Sequence, residues 1–190
     1  MTVAVDRGLT MAQNNRMVER AEIEAKYRLR AGQRAELTAR LGKPDRMIEQ
    51  HDSYFDVMDR VLRIRQEGDD YWLTRKGPVQ YSPDGIKIRQ EIENSLSVNC
   101  AALLAEIFPE LGHRKLITVR KERWEYKRAG YLLCLDRIVG LTEPDFLEIE
   151  MVNGDLSLLR SLRDSLGLAA EQIERHSYAA LVALADSTPP

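Results

Sequence analysis

The sequence is poor in most of the features that announce a function. It has two cysteines in 190 residues, Cys100 and Cys134, each inside an apolar run. No disulfide framework is available, and both thiols are expected to be buried, in keeping with a reducing, cytoplasmic setting. The three histidines, His51, His113 and His176, are scattered and have no cysteines at zinc-ligand spacing. There is no G-x-x-x-x-G-K-S/T stretch and no G-x-G-x-x-G, so the two common phosphate-cradling loops are missing. No apolar run approaches the roughly 18–20 residues of a membrane-spanning helix. A formal net charge of −2 carries no bulk signature of a nucleic-acid binder. The opening "MTVAVDRGLTMAQNNRM" lacks a signal-peptide core. Residues 1–17 therefore read as a disordered leader with Met17 the natural beginning, 18–185 as a single domain, and 186–190 as a frayed tail.

What is present is charge, 31% of residues, in a chain that is 44% hydrophobic and long enough to bury a core. That charge is sorted with a period of two. In "RAEIEAKYRLR" the residues Arg20, Glu22, Glu24, Lys26, Arg28 and Arg30 alternate with Ala21, Ile23, Ala25, Tyr27 and Leu29, the pattern of a strand with one ionic face. Seven more runs read as strands: 46–57, 60–67, 70–76, 85–96, 115–128, 130–139 and 146–152. Helices are expected over 33–42, ended by Gly42, over 97–112 with Ser97 as N-cap, over 153–167 with Asn153 or Asp155 near the N-cap, and over 177–185. Most strands are joined by hairpin-length links. The class is therefore α+β, a largely antiparallel sheet with helices packed outside it.

The ionic face recurs from strand to strand. Arg63 and Arg65 share a face, Lys76 falls beside Trp72 and Thr74, and Arg89 aligns with Glu91 and Glu93. Lys121 and Arg123 share a face, Asp136 lies opposite Leu135, and Glu148 and Glu150 lie opposite Leu147, Ile149 and Met151. A solvated outer face is the ordinary explanation for any one such strand. Across the chain these faces hold arginines and acid pairs at i, i+2, and the signs segregate by strand. A closed sheet with that face inward would make a tunnel with an acidic and a basic side. Burying those ions is expensive unless a ligand supplies counter-charges. Bases suit an oligoanion, and carboxylate pairs suit hard divalent cations. The pattern describes a site for a metal-chelated polyphosphate, with arginines gripping phosphate oxygens bidentately and lysines acting as point charges.

"EIEAK" with "YFDV", "LRIR", "LTRKGP", "IRQEIE", "KERWEY", "CLDRI", "FLEIE" and the closing "RHSYAALV" resembles, in order over 18–185, the CYTH superfamily of triphosphate tunnel metalloenzymes, in its class IV adenylyl cyclase and thiamine triphosphatase branch. The resemblance implies an eight-stranded antiparallel β-barrel, a tunnel flanked by α-helices, with Mg²⁺ or Mn²⁺ as cofactor. It implies metal ligation by Glu22, Glu24, Glu148 and Glu150, with Asp136 a possible fifth ligand and Glu91 and Glu93 ranked lower. Triphosphate binding falls to Lys26, Arg63, Arg65, Lys76, Arg89, Lys121 and Arg123, of which Lys26 and Lys121 stand as catalytic candidates. The implied reaction is conversion of ATP to cyclic AMP and pyrophosphate. The alternatives are hydrolysis of tripolyphosphate or thiamine triphosphate by the same tunnel, and a non-catalytic nucleotide or polyphosphate binder. Neither nucleic acid nor membrane is expected as a partner. A homodimer is compatible with the leucine face of 156–166. Two departures from the family pattern are a longer turn in "GLTEPDFLEIE" and an extra base at Arg75, which should point outward if Lys76 points in. Arg28 is expected beside the tunnel, Arg20 and Arg30 at its rim, and Trp72 and Trp124 in core or barrel-mouth packing, with stacking on a base as the alternative. Specificity is expected in mouth loops over 77–85 and 140–146.

Overall fold

The computed structural model describes residues 17–187 except 143 and 153, so the expected leader, apart from Met17, and the last three residues of the tail lie outside the described residues. The chain runs β1 (Val18–Arg28), α1 (Gln33–Leu41), β2 (Arg46–Phe55), β3 (Val61–Glu67), β4 (Asp70–Lys76), β5 (Gln80–Tyr81), β6 (Lys87–Leu96), α2 (Val98–Glu110), β7 (Lys115–Arg128), β8 (Tyr131–Ile138), β9 (Phe146–Met151), α3 (Leu156–Ser165), a 3-10 turn (Ala170–Gln172) and α4 (Tyr178–Asp186). Eight strands follow the order β1-β9-β8-β7-β2-β3-β4-β6, and a β1–β6 pairing closes the sheet into a barrel. The expected eight-stranded antiparallel barrel is the fold. The ninth strand, β5, pairs only with β6. Two residues are too few to carry a periodic signal.

The barrel is polar inside and apolar outside. Glu22, Glu24 and Lys26 point inward from β1, whereas Ile23, Ala25 and Tyr27 enter a core on the outer wall with Leu133, Leu135, Leu147 and Ile149. Leu37 of α1 and Leu159 of α3 cover that core. A second outer core joins Phe55 and Ile64 to Ala101 and Phe108 of α2. The helices thus supply the hydrophobic burial that the ionic interior cannot. Leu159 and Leu166 are buried in the first core, with Leu156 and Leu162 packed on it, so this leucine face is used within the chain and leaves little to bury in a dimer.

Caps follow side-chain chemistry. The Ser97 hydroxyl accepts from Cys100 N at 3.2 Å, Asp155 accepts from Ser157 N and Leu158 N at 2.9 and 3.0 Å, and the Ser177 hydroxyl accepts from Ala180 N at 3.1 Å. Asn153, the other cap candidate for α3, lies outside the described residues. One expectation is corrected. Cys134 is buried, but Cys100 is exposed, because α2 turns Ala101 and Phe108 to the wall and leaves Cys100 on its outer face. No helix among the described residues is long and apolar enough to cross a membrane.

At one end of the barrel the inward side chains turn apolar. Val119, Ile138 and Phe146 pack with Tyr178 and Leu181 of α4, so α4 covers the β7–β9 side of this end. Strand polarity places the segments 77–85 and 140–146 at this same end. The opposite end is ringed by inward residues at the other strand termini, including Arg20, Arg46, Glu67 and Lys127.

Candidate active site

A cavity of about 400 Å³ occupies the barrel, within the usual range for a small-ligand site. Nineteen of its lining side chains are ionic, eleven basic and eight acidic. A chain with net charge −2 has thus concentrated an excess of positive charge in its interior. The structure brings every proposed phosphate ligand to this lining: Lys26, Arg63, Arg65, Lys76, Arg89, Lys121 and Arg123. It also places Glu22, Glu24, Glu148 and Glu150 there, with Glu91 and Glu93.

Antiparallel register sets the charges opposite one another. On β1 and β6, Glu22 faces Arg89 and Glu24 faces Lys87. On β1 and β9, Lys26 faces Glu148 and Glu24 faces Glu150. Side chains on one face of such pairs meet directly. Glu22 accepts from Arg89 Nε at 2.5 Å and from Lys76, and Glu24 accepts from Lys87 Nζ at 2.5 Å. Asp52 accepts from Arg65 Nε and Nη2 at 2.6 and 2.8 Å, while Arg63 donates to Asp52 and, at 3.0 Å, to Thr74. Arg123 grips Asp136 bidentately at 2.8 and 2.6 Å and also reaches Glu148 and Glu150.

Two lysines differ from these paired cations. Lys26 makes no ion pair among the described residues. Its ammonium donates to the His176 carbonyl at 2.6 Å and lies 4.0 Å from the centre of the Tyr178 ring. Lys121 lies 5.0 Å from the same ring and 3.7 Å from Asp136. That carboxylate is already committed to Arg123 and to the Tyr178 hydroxyl, which donates to it at 2.8 Å. Burial lowers Lys26 to about 8, against the attraction of Glu148. Burial, reinforced by Arg123, also lowers Lys121. These are cations whose charged form lacks a close partner.

The carboxylates fit a divalent cation. One oxygen from each of Glu24, Glu148 and Glu150 lies within 4.8 Å of the others, a hard, all-oxygen donor set suited to Mg²⁺ or Mn²⁺. Burial raises the Glu150 carboxyl to about 7 despite Arg123, and Glu148, Glu24 and Glu22 add to that rise. Such crowding of like charges is relieved by a cation among them. Glu22 stands beside the group, held by Lys76 and Arg89; its carboxyl is raised by burial and by Glu24. Asp136 lies behind Arg123, fully buried and outside the cavity lining, with its oxygens held by Arg123 and Tyr178.

Several residues escaped the sequence reading. Lys87 was visible on the ionic face of "IKIRQE" but was not singled out. Asp52, in "HDSYF", has no acid or base at i±2 to mark it and is recognisable only through its partners Arg63 and Arg65. Arg28, expected beside the tunnel, instead bonds to Glu174 outside the cavity lining. Trp72 lines the cavity, whereas Trp124 packs in the outer core beneath the Arg34 guanidinium at 4.1 Å. Lys76 points inward and is buried, and Arg75 is not among the lining residues.

A family model described as "CYTH domain" matches residues 20–178. The chain is 31% identical over 144 residues to a Methanocaldococcus jannaschii protein named "putative adenylate cyclase", covering 68% of this chain and 78% of that one. A solved Pyrococcus horikoshii OT3 structure matches with a TM-score of 0.72 at 27% identity, over 85% of this chain and 99% of the other. A Hippeastrum protein, a "putative adenylyl cyclase" described as having a dominant triphosphatase activity, shares the fold with a TM-score of 0.65 at 20% identity, over 86% of this chain and 95% of that one.

Proposed function

The chain belongs to the CYTH family, whose members bind triphosphate substrates and are in general metal-dependent, and from that premise we propose that it is an enzyme that breaks a phosphoanhydride bond of a triphosphate inside the barrel. The reaction we put first is conversion of ATP to cyclic AMP and pyrophosphate, in line with the name of the M. jannaschii relative. The observation that carries the reading is the meeting, in one cavity, of excess cations and the Glu24, Glu148 and Glu150 group. Cations alone would suit any anion, and carboxylates alone would repel one.

Glu24, Glu148 and Glu150, with Glu22 beside them, would hold Mg²⁺ or Mn²⁺. Bound there, the metal supplies charge neutralisation on phosphoryl oxygens and a lowered pKa for the attacking hydroxyl or water. The rest falls to the chain. Lys26, which makes no ion pair among the described residues, and Lys121, whose one ion pair is the 3.7 Å contact with the already engaged Asp136, place two ammonium groups at the Tyr178 ring, where phosphate oxygens gain most from them. Arg63, Arg65, Lys76, Arg89 and Arg123 exchange carboxylate partners for phosphate oxygens, which fixes the chain of phosphates along the wall. These fixed cations stabilise charge that grows on phosphoryl oxygens in the transition state.

Hydrolysis of tripolyphosphate or thiamine triphosphate is the second reading. The lining favours it, because ionic groups that recognise phosphates predominate and a nucleoside finds few apolar surfaces beyond Tyr54, Val61, Trp72, Leu132 and Tyr178. The Hippeastrum protein of similar fold is described as having a dominant triphosphatase activity, a reaction of the same broad kind. Products formed from ATP and from tripolyphosphate, with Mg²⁺ or Mn²⁺, decide the matter by ion-exchange analysis. Cyclic AMP from ATP supports the first reading. Cleaved tripolyphosphate without cyclic AMP supports the second. Tight binding of both with no product, unchanged by Glu24→Gln, leaves a non-catalytic binder.

A further inference from the structure

Lys26 is held by a segment that belongs to no strand of the barrel. Strand β6 begins at Lys87, which pairs with Glu24, so residues 25–28 of β1 extend beyond the reach of β6. The stretch between the 3-10 turn and α4 fills that gap. Ile173 forms an isolated bridge with Tyr27, Glu174 N donates to Lys26 O at 2.7 Å, and the Gln172 side chain donates to Arg28 O at 2.6 Å. The strap is clamped from outside as well. The Tyr81 hydroxyl donates to Arg175 O at 3.1 Å, and Gly85 sits so close that a Cβ there would lie 2.9 Å from Ile173 Cδ1.

Glu174 is the centre of this strap. Its Oε1 accepts from His176 N at 2.7 Å and faces His176 Nδ1 at 2.8 Å, while Oε2 accepts from Arg28. The carboxylate is buried although the His176 and Arg28 side chains beside it are substantially exposed. These bonds fix the backbone at His176, whose carbonyl is the one hydrogen-bond acceptor of the Lys26 ammonium among the described residues. The same turn leads directly to Ser177, the cap of α4, and to Tyr178, the ring under that ammonium.

We propose that Glu174 is a positioning residue for Lys26: by locking the His176 backbone it aims a carbonyl, and behind it the Tyr178 ring, at the ammonium that meets the triphosphate. The inference rests on the proposed function for its kinetic consequence, but the placement of Lys26 is a property of the protein alone. Glu174 itself touches no substrate. It reaches Lys26 through the backbone of one residue, His176, so its loss acts through Lys26.

The test is Glu174→Ala beside Glu174→Gln. The glutamine keeps an oxygen for His176 and gives up only the charged contact with Arg28. In Glu174→Ala the KM for tripolyphosphate rises roughly tenfold, the worth of one hydrogen bond to a charged group, with a smaller change in kcat. Glu174→Gln restores most of it. The ¹H–¹⁵N signal of the Lys26 ammonium, assigned by its loss in Lys26→Arg, shifts or broadens in Glu174→Ala and returns in Glu174→Gln. A lowered Tm with KM and the Lys26 signal both as in the wild type would assign Glu174 a merely structural role and overturn the proposal. If the wild type turns over neither ATP nor tripolyphosphate, the proposed function fails. The Lys26 signal then still decides the strap, and an unchanged signal sinks it.

Discussion

The cations of the tunnel fall into two groups that look alike in sequence. Arg63, Arg65, Lys76, Lys87, Arg89 and Arg123 each lie against a carboxylate that neutralises them. Lys26 and Lys121 sit at the Tyr178 ring, where no comparable partner reaches them. The first group holds the barrel together while it waits for ligand. In the second, the cost of burying a charge is left largely uncompensated, and a phosphate is the partner that compensates it. A closed barrel with an ionic lining can therefore be stable and still be primed for a polyanion, because only part of its charge is satisfied internally.

Three changes test that division. The largest effect is expected from converting paired cations to unpaired ones. Asp52→Asn leaves Arg63 and Arg65 buried without their anion and should lower stability by about 3–5 kcal/mol, measured by denaturant unfolding. Tripolyphosphate, added as replacement anion, should recover much of it. The acid limb of stability should change too. Burial pushes the Asp52 carboxyl up, but Arg65 and Arg63 outweigh it and hold the group far below the usual carboxylate range. A carboxyl depressed in the folded state contributes stability that is present above its unfolded value, about 4, and is lost as pH falls toward the folded value. The wild type should thus lose stability more steeply below about pH 4 than Asp52→Asn.

Removing an unpaired cation should do the reverse. Lys26→Ala leaves the fold intact or slightly more stable, because a buried charge without an ion pair is gone. It should lower kcat/KM for the triphosphate by about a hundredfold. A comparable loss of stability in Lys26→Ala and Asp52→Asn would erase the distinction. The smallest effect belongs to Tyr178→Phe. The ring under both lysines stays, and only the hydroxyl bond to Asp136 is lost, so stability should fall by about 1 kcal/mol with little change in tripolyphosphate affinity by titration calorimetry.

The sequence carried the fold well because strand period, helix caps and short links are local signals. "RAEIEAKYRLR" shows its ionic and apolar faces without reference to any other segment. Whether the ionic face is inside is not local. It follows from the leucines of 133, 135 and 147 and from the helices that cover them, and from the resemblance in motif order. The division between paired and unpaired cations was invisible, since it depends on register. Lys26 and Lys87 are both lysines on ionic faces, but Lys87 stands opposite Glu24 and donates to it, whereas Lys26 stands opposite Glu148, which Arg123 has already engaged. Asp52 and the Glu174 strap escaped notice for the same reason. Each acts through partners distant in sequence, Arg65 in one case and Arg28 and Lys26 in the other.

The central claim is that cations and carboxylates of one cavity bind a metal and a triphosphate together. It is tested most directly by titration calorimetry of tripolyphosphate into the protein with and without Mn²⁺, repeated with Glu24→Gln. A joint site predicts at least about tenfold tighter binding in the presence of Mn²⁺, the coupling expected of two ligands that share contacts, and loss of that gain in Glu24→Gln with metal-free binding as good as the wild type or better. Equal affinity with and without Mn²⁺ in the wild type, or a gain that survives Glu24→Gln, would contradict it.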